Sequence, residues 1–578
     1  MFTRFFTKRE WLLVILATAL MLGQIWLDIT IPQYMNTITD AFLLDDTDVV
    51  VRYAWEMLLC ALGSLALAII VGFIFANVSA AVGRNARKAE FDRVQEFSVQ
   101  DINRFSASSL ITRSTNDITQ IQNFIARGLM AAIRCPVITV WALLMITGSS
   151  MRWTGVTLAG VAVLLVVMFI SLHYARKRFE KVQWLTDGVN RATKENVDGI
   201  RAIRAYNAER YQEKRFSDAT DELLANNISA VKIMAPVFPI SRSVMNFVIL
   251  GIYWVGAGVI SSAGTTDEQL MLFSDMIVFT SYATMVLSSF LIMFGIFRMV
   301  PRTLVGMRRV EEVVDTEPSV VGGDVTEIID RGAVEFENVS FTYPGSQHPS
   351  LDGVSFSIGR GQFLAIVGST GSGKSTLVNL ITRFYDPDSG RISVGGTDVR
   401  DYDLKTLRGQ LGYVSQNAVI FSGSVDMNVN YGAGSEMRTK EDVLRALRIA
   451  QADSFVDELP EGTDSHISQH GKNLSGGQKQ RVSVARAVCR DPDILILDDA
   501  FSALDFKTDL DLRTTLRREM RDTTLIVVAQ RIGTVKDADK IVVLDKGKVV
   551  GRGTHRQLLE DCPVYLDMAR SQMVEGTI

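Results

Sequence analysis

Six apolar stretches, each about as long as a bilayer is thick, lie in the first 300 residues, and no run of that length follows them. They cover approximately residues 11–31, 53–76, 129–146, 155–172, 244–262 and 271–297. A helix needs roughly 20 residues to cross about 30 Å of hydrocarbon, where the backbone has no water to bond. Six such runs predict a bundle of six transmembrane helices. The first run continues to Ile31 without a small-residue cleavage pattern, so it reads as a retained span rather than a signal peptide. Apolar residues make up 47% of the 578 and charged residues 21%, a balance that excludes a disordered chain or a fibrous repeat. The net charge of −4 argues against a nucleic-acid binder, which carries a basic footprint. Cys60, Cys135, Cys489 and Cys562 are scattered, which argues against a disulfide framework and a zinc site alike.

Lysine and arginine near the span ends set the expected orientation. Arg4, Lys8 and Arg9 precede the first span, and Arg84, Arg87, Lys88, Arg176, Lys177 and Arg178 lie in the long connections after spans two and four. The short loops are acidic, with Asp40, Asp45, Asp46 and Asp48 in one and Asp267 and Glu268 in another. Both termini, the long connections and the C-terminal half are therefore expected in the cytoplasm, with the short loops outside and several passes through the membrane between them. No proline occurs between residues 53 and 105 or between 155 and 235, so continuous helices are expected to project inward. At about 1.5 Å per residue, residues 76–105 would reach about 44 Å beyond the membrane. Asp28, Arg134 and Asp275 fall within or near the spans, where an ionised group is costly unless it faces protein or water. Interfacial placement and substrate contact both fit them.

From about residue 331 the composition becomes that of a soluble α/β domain. Short β-branched runs at 363–367, 494–497, 524–528 and 540–544 alternate with helical stretches. Directly after the first comes Gly368-Ser369-Thr370-Gly371-Ser372-Gly373-Lys374-Ser375-Thr376, which satisfies G-x-x-x-x-G-K-[ST] between a strand and a helix. The glycines let the backbone curl until its amides and the helix N-terminus face phosphate oxygens. In this motif Lys374 is expected to supply a cation to the β- and γ-phosphates of a nucleotide, and the Ser375 hydroxyl to bind Mg2+. The apolar strand at 494–497 delivers Asp498 at its tip to complete that shell, followed by Asp499. Between these elements Leu474-Ser475-Gly476-Gly477-Gln478 opens a basic helix, again presenting amides to an anion.

The order of residues 368–376, Gln416, Leu474 to Gln478, Asp498-Asp499 and Ser502-Ala503-Leu504-Asp505 resembles the nucleotide-binding domain of an ATP-binding cassette (ABC) transporter. With six preceding spans and two long inner connections, the whole chain resembles a half-transporter of the exporter branch. Residues 110–117 and 196–205 are similar to segments beside that family's two coupling helices. The resemblance implies a membrane all-α domain with long cytoplasmic extensions (1–315), a linker (316–330) and a C-terminal α/β P-loop domain (331–578). By position, Tyr343 resembles the aromatic that stacks on adenine, and Gln416 the glutamine that senses the γ-phosphate and Mg2+. Ser475, Gly476, Gly477 and Gln478 resemble the segment that closes on ATP held by the opposite subunit. Asp505 resembles the residue that communicates between the two sites.

Two positions depart from the family pattern at its catalytic centre. The family usually has Glu after the strand-end Asp, where this chain has Asp499, and His after the next strand, where it has Gln530. The shorter side chain withdraws its carboxylate by about 1.5 Å, and an amide carries neither the charge nor the proton of an imidazole. The segment Ile467-Ser468-Gln469-His470-Gly471 also lacks the Glu common before the signature. These departures resemble the degenerate subunit of heterodimeric bacterial multidrug exporters. The resemblance implies a chain whose own site binds ATP and hydrolyses it slowly. Its expected partner is a non-identical half-transporter carrying the usual Glu and His, and its expected cargo is a small amphipathic molecule. A homodimeric lipid flippase, or a peptide or siderophore transporter of the same fold, remains the alternative.

Overall fold

The computed structural model describes residues 4–43, 46–147, 151–433 and 438–572; Asp45 and the side chain of Arg176 lie outside them. Two compact units emerge, one comprising Met1–Gln95 and Ser108–Thr316, the other Glu96–Ala107 and Glu317–Ile578.

The first unit is helical, and among the described residues six helical stretches are long and apolar enough to cross a membrane. Thr47–Glu96, Met151–Asp198 and Thr266–Asp315 are single helices of 48 to 50 residues. In the second of the six, Val71, Phe75, Val78 and Val82 pack inward while Trp55, Leu59, Ile69 and Phe73 face out. An apolar outer face is stable against lipid and unstable against water, which is the pattern of a spanning helix. Two expected continuous helices are in fact broken. The helix read as running from 76 to 105 stops at Glu96, because Ser98 and Asp101 form a reciprocal capping box that starts a new helix, Val99–Phe105. The helix Met151–Asp198 gives way to the short helix Ile200–Ala205, after which Asn207 turns at φ 48° before Glu209–Met234 begins. Proline is one way to end a helix; a local cap is another.

Asp28 and Arg134 meet inside this unit, with Arg134 Nη2 donating to Asp28 Oδ2 at 3.1 Å. Ser64 donates to the other carboxylate oxygen, so one residue from each of the first three spans joins the cluster. Asp275 instead accepts from Asn36 at 3.4 Å.

The second unit carries two sheets. The larger has the order Lys548–Gly553, Lys540–Asp545, Phe363–Gly368, Thr524–Val528, Ile494–Asp498, Leu411–Val414. All neighbours in it are parallel except the first pair. The four apolar runs expected as strands are all in it. Phe363–Gly368, Ile494–Asp498 and Thr524–Val528 are buried along their whole length, as strands covered on both faces must be. Val528 lies opposite both Ile366 and Asp498, so three neighbouring strands end together on one edge. A smaller antiparallel sheet, Leu351–Ile358, Val334–Phe341, Ser389–Val394 and Thr397–Asp398, shares a core with Leu364 and Ile366 of the larger one, with Phe336 and Phe356 stacked at 4.6 Å.

Residues 317–325 are built into this unit: Gly323 donates to the Tyr402 carbonyl at 2.7 Å and Val325 to that of Asp401 at 2.9 Å. The helix Val99–Phe105 is held to the same segment. Asp101 Oδ2 accepts from Ser98 N–H at 2.9 Å and from Ser319 N–H at 3.0 Å. Replacing Asp101 with Ala removes a helix cap and an inter-segment tie, an expected loss of about 1–2 kcal/mol of local stability. Hydrogen exchange over residues 98–105 should accelerate accordingly, and unchanged protection there would refute the tie.

Candidate ATP site

The site is assembled where the strand ends coincide. Phe363–Gly368 leads into a loop and then the helix Lys374–Ile381. Gly373 at φ 100° sits where an added Cβ would lie 2.6 Å from the Ser350 carbonyl, so both conformation and space demand glycine. Lys374 curls back over the loop, its Nζ donating to the carbonyls of Gly368 at 2.9 Å and Ser369 at 2.7 Å. Burial pushes the Lys374 ammonium below its usual pKa, opposed by the nearby carboxylates of Asp499 and Asp498. A cation held by its own loop is poised to exchange two carbonyls for phosphate oxygens. The Ser372 hydroxyl is buried in the same curl without a hydrogen-bond partner, an orphan polar group that an anion in the loop would satisfy. Ser369, Thr370 and Gly371 are exposed along the loop's outer face.

Ser375 Oγ donates to Asp498 Oδ1 at 3.1 Å. Burial raises the pKa of Asp498, its bond from Ser375 opposing that. A hydroxyl and a desolvated carboxylate side by side are hard oxygen donors, the chemistry that suits Mg2+. Bound there with ATP, the ion would neutralise phosphate charge; Ser375 and Asp498 would hold it, with Gln416, here bonded to Asp499, as the third residue expected from the resemblance.

Asp499 is the most constrained residue of the site. Its backbone adopts φ 51° and donates to the Val528 carbonyl at 3.0 Å. A non-glycine residue held in the left-handed region marks a position where surrounding structure overrides local preference. Its Oδ2 accepts from Gln416 Nε2 at 3.0 Å and from Gln530 Nε2 at 3.1 Å. The structure thus brings Lys374, Ser375, Gln416, Asp498, Asp499 and Gln530 into one cluster beside a cavity of about 390 Å³.

Tyr343 meets Phe341 and Tyr385 edge-on at 4.9 Å and 5.2 Å, and its hydroxyl accepts from Asn379 at 3.2 Å and lies 3.4 Å from that of Thr376. Ser475, Gly476, Gly477 and Gln478 form a separate feature. Ser475 caps the helix Gly476–Cys489, with Gln478 N–H donating to its hydroxyl and Gln478 Oε1 accepting from its own N–H. Asp505 likewise caps Phe506–Glu519 through Thr508. Gly477 adjoins Ala503, so these two helix starts are neighbours. Ser475, Gly476 and Asp505 are exposed, while Gly477 and Gln478 are half-buried.

One residue of the site escaped the sequence reading. Gln572 Nε2 donates to the Gln530 carbonyl at 2.7 Å. A lone glutamine near the end of the chain, outside any motif, carries no signal in the sequence.

Residues 351–502 match the ABC transporter family, and residues 14–290 match the ABC transporter transmembrane region. An uncharacterized ABC transporter ATP-binding protein of Mycobacterium tuberculosis (strain H37Rv) is 36% identical, over 94% of this chain and 94% of its own length. The ATP-dependent lipid A-core flippase of Vibrio vulnificus (strain CMCP6) is 31% identical, over 86% of this chain and 84% of its own. Among solved structures, a bacterial Atm1-family ABC exporter with ATP bound superposes with a TM-score of 0.83, covering 98% of this chain and 99% of that one at 23% identity. Full-length likeness to such relatives, together with the phosphate loop and strand-end aspartates in place, identifies the chain as a member of the ABC transporter family, an ATPase coupled to transport that joins one transmembrane region to one ATP-binding domain.

Proposed function

We propose that this chain is one half of a heterodimeric exporter that moves small amphipathic molecules out across the bacterial cytoplasmic membrane, with both termini in the cytoplasm. The other half is an unlike ABC chain bearing the usual Glu and His. The observation that carries this reading is the state of Asp499, whose Oδ2 is committed to two neutral amides, Gln416 and Gln530. A general base or water-positioner must reach the attacking water with its carboxylate. Here the carboxylate is one methylene short, and the amide of Gln530 cannot take up a proton or carry charge. ATP is held by Lys374 and the loop, while the hydrolytic step is slow.

The exposed start of the helix Gly476–Cys489 supports the second part of the reading. Ser475, Gly476, Gly477 and Gln478 keep the geometry of an anion-facing helix N-terminus and serve an ATP bound to the partner. Closure of two nucleotide domains on ATP then shifts the membrane bundle outward, and hydrolysis at the partner's consensus site resets it. Asp505, a helix cap adjoining the signature, lies in the segment proposed to relay between the sites.

The likeness to a lipid A-core flippase favours a second reading, a homodimeric lipid transporter in which Asp499 and Gln530 still turn over ATP. ATP hydrolysis by the purified chain, alone and assembled with its partner, separates the two. The pair is expected to turn over at least about tenfold faster, as an intact base and imidazole together imply. It should also concentrate a fluorescent amphipathic dye in inverted vesicles. Equal turnover by the self-paired chain would favour the flippase reading and end the heterodimer proposal.

A further inference from the structure

Gln572, the last residue of the C-terminal helix Pro563–Gln572, clamps the backbone on both sides of Arg531. Its Oε1 accepts from Ile532 N–H at 2.7 Å, and its Nε2 donates to the Gln530 carbonyl at 2.7 Å. Ile532 opens the helix Ile532–Val535, whose cap residue Arg531 provides no side-chain cap. An amide from a different helix therefore fills the role that Ser or Asp usually plays at a helix start. The helix that carries Gln572 is anchored independently of it. Tyr565 is fully buried with its hydroxyl 2.7 Å from His555 Nδ1, and Ala569 is buried one turn before Gln572.

Gln530, fixed by this clamp, donates its side chain to Asp499 Oδ2 at 3.1 Å. A continuous run of hydrogen bonds thus connects the C-terminal helix to the hydrolytic carboxylate. Asp499, Gln530, Arg531 and Gln572 all line the cavity of about 390 Å³ beside it.

We infer that Gln572 is a positioning residue for ATP hydrolysis, holding the backbone from Gln530 to Ile532 so that the side chain at position 530 reaches the one at 499. The inference rests on reading Asp499 and Gln530 as the hydrolytic pair, and adds to it the element that aims one at the other. Gln572 is exposed, so its truncation removes the clamp without opening the core.

The test uses the full-length chain in lipid nanodiscs, with hydrogen exchange as its first readout. Gln572→Ala should raise exchange over residues 529–533 by about tenfold, the ratio expected for one lost hydrogen bond, and leave residues 563–570 unchanged. The second readout is kinetic, in a chain carrying Asp499→Glu and Gln530→His. There Gln572→Ala should lower kcat by about tenfold with KM for ATP unchanged, since the loss is one of aim and not of binding. Unchanged exchange overturns the inference. So does an accelerated exchange that spreads through residues 555–570, which would make Gln572 a plain structural anchor, or an unchanged kcat in an active double variant. If the double variant is itself inactive, the degenerate-site proposal has failed, and exchange at 529–533 decides the clamp by itself.

Discussion

Changing Asp499 to Glu together with Gln530 to His is expected to raise ATP turnover by about 100-fold, the scale on which small errors in positioning slow a reaction. Asp499 is tied down by the amides of Gln416 and Gln530 on a single oxygen. A glutamate at 499 extends the carboxylate by one methylene, about 1.5 Å, toward the position a water would occupy. Histidine at 530 removes one of the two amide ties and supplies a group that titrates near neutrality. Neither change touches Lys374 or Ser375, so ATP affinity should stay level. The backbone at 499 is left-handed, a conformation aspartate tolerates better than most residues, so the Glu variant should lose a little stability. Thermal melting of the variant separates that loss from the kinetic gain. The measurement is phosphate release by the purified chain and by the assembled pair. A rise in neither, with ATP still bound and the fold intact, would show that the shortened carboxylate is not what limits hydrolysis.

Lys374→Met should weaken ATP binding by roughly 10- to 150-fold, the value of a charged hydrogen bond of about 1.5–3 kcal/mol. The Lys374 ammonium is buried and bonded to the carbonyls of Gly368 and Ser369, with Asp498 and Asp499 nearby. Methionine fills similar space and keeps the apolar stem, so the helix Lys374–Ile381 should survive. What disappears is the cation proposed to meet the β- and γ-phosphates. Titration with a fluorescent ATP analogue measures the loss, and an affinity within twofold of the parent chain would mean that the loop amides alone hold the nucleotide. Lys374 is proposed to bind the nucleotide and Asp499 and Gln530 to act on water, so Lys374→Met and the Asp499/Gln530 double change probe different steps, coupled through the charge of Asp499 near Lys374.

Much of the architecture was legible because its signals are local. A run such as 53–76 announces a span by composition alone, since hydrocarbon admits few alternatives. The buried strand Phe363–Gly368 followed by a glycine loop and Lys374 is likewise a contiguous signal, and all four apolar runs expected as strands occur as strands. Helix ends were less legible. The lack of proline predicts a helix that runs through Glu96, where a Ser98–Asp101 capping box ends one helix and starts the next. Such boxes are short polar patterns that also occur in loops, and they decide a boundary only when the flanking segments pack accordingly.

Residue order alone carries six runs long and apolar enough to cross a membrane, a phosphate-loop pattern, and Asp499 and Gln530 just beyond two apolar strands. Those are statements about which side chains exist and how they follow one another. Only the folded chain paired Arg134 with Asp28 across spans, placed Gln416 and Gln530 on one oxygen of Asp499, and brought Gln572 onto the Gln530 carbonyl. The partners in these bonds stand 31 to 106 positions apart. Hydrogen bonds act over about 3 Å, so such pairings follow from how strands and helices stack in space, which no local pattern of residues encodes.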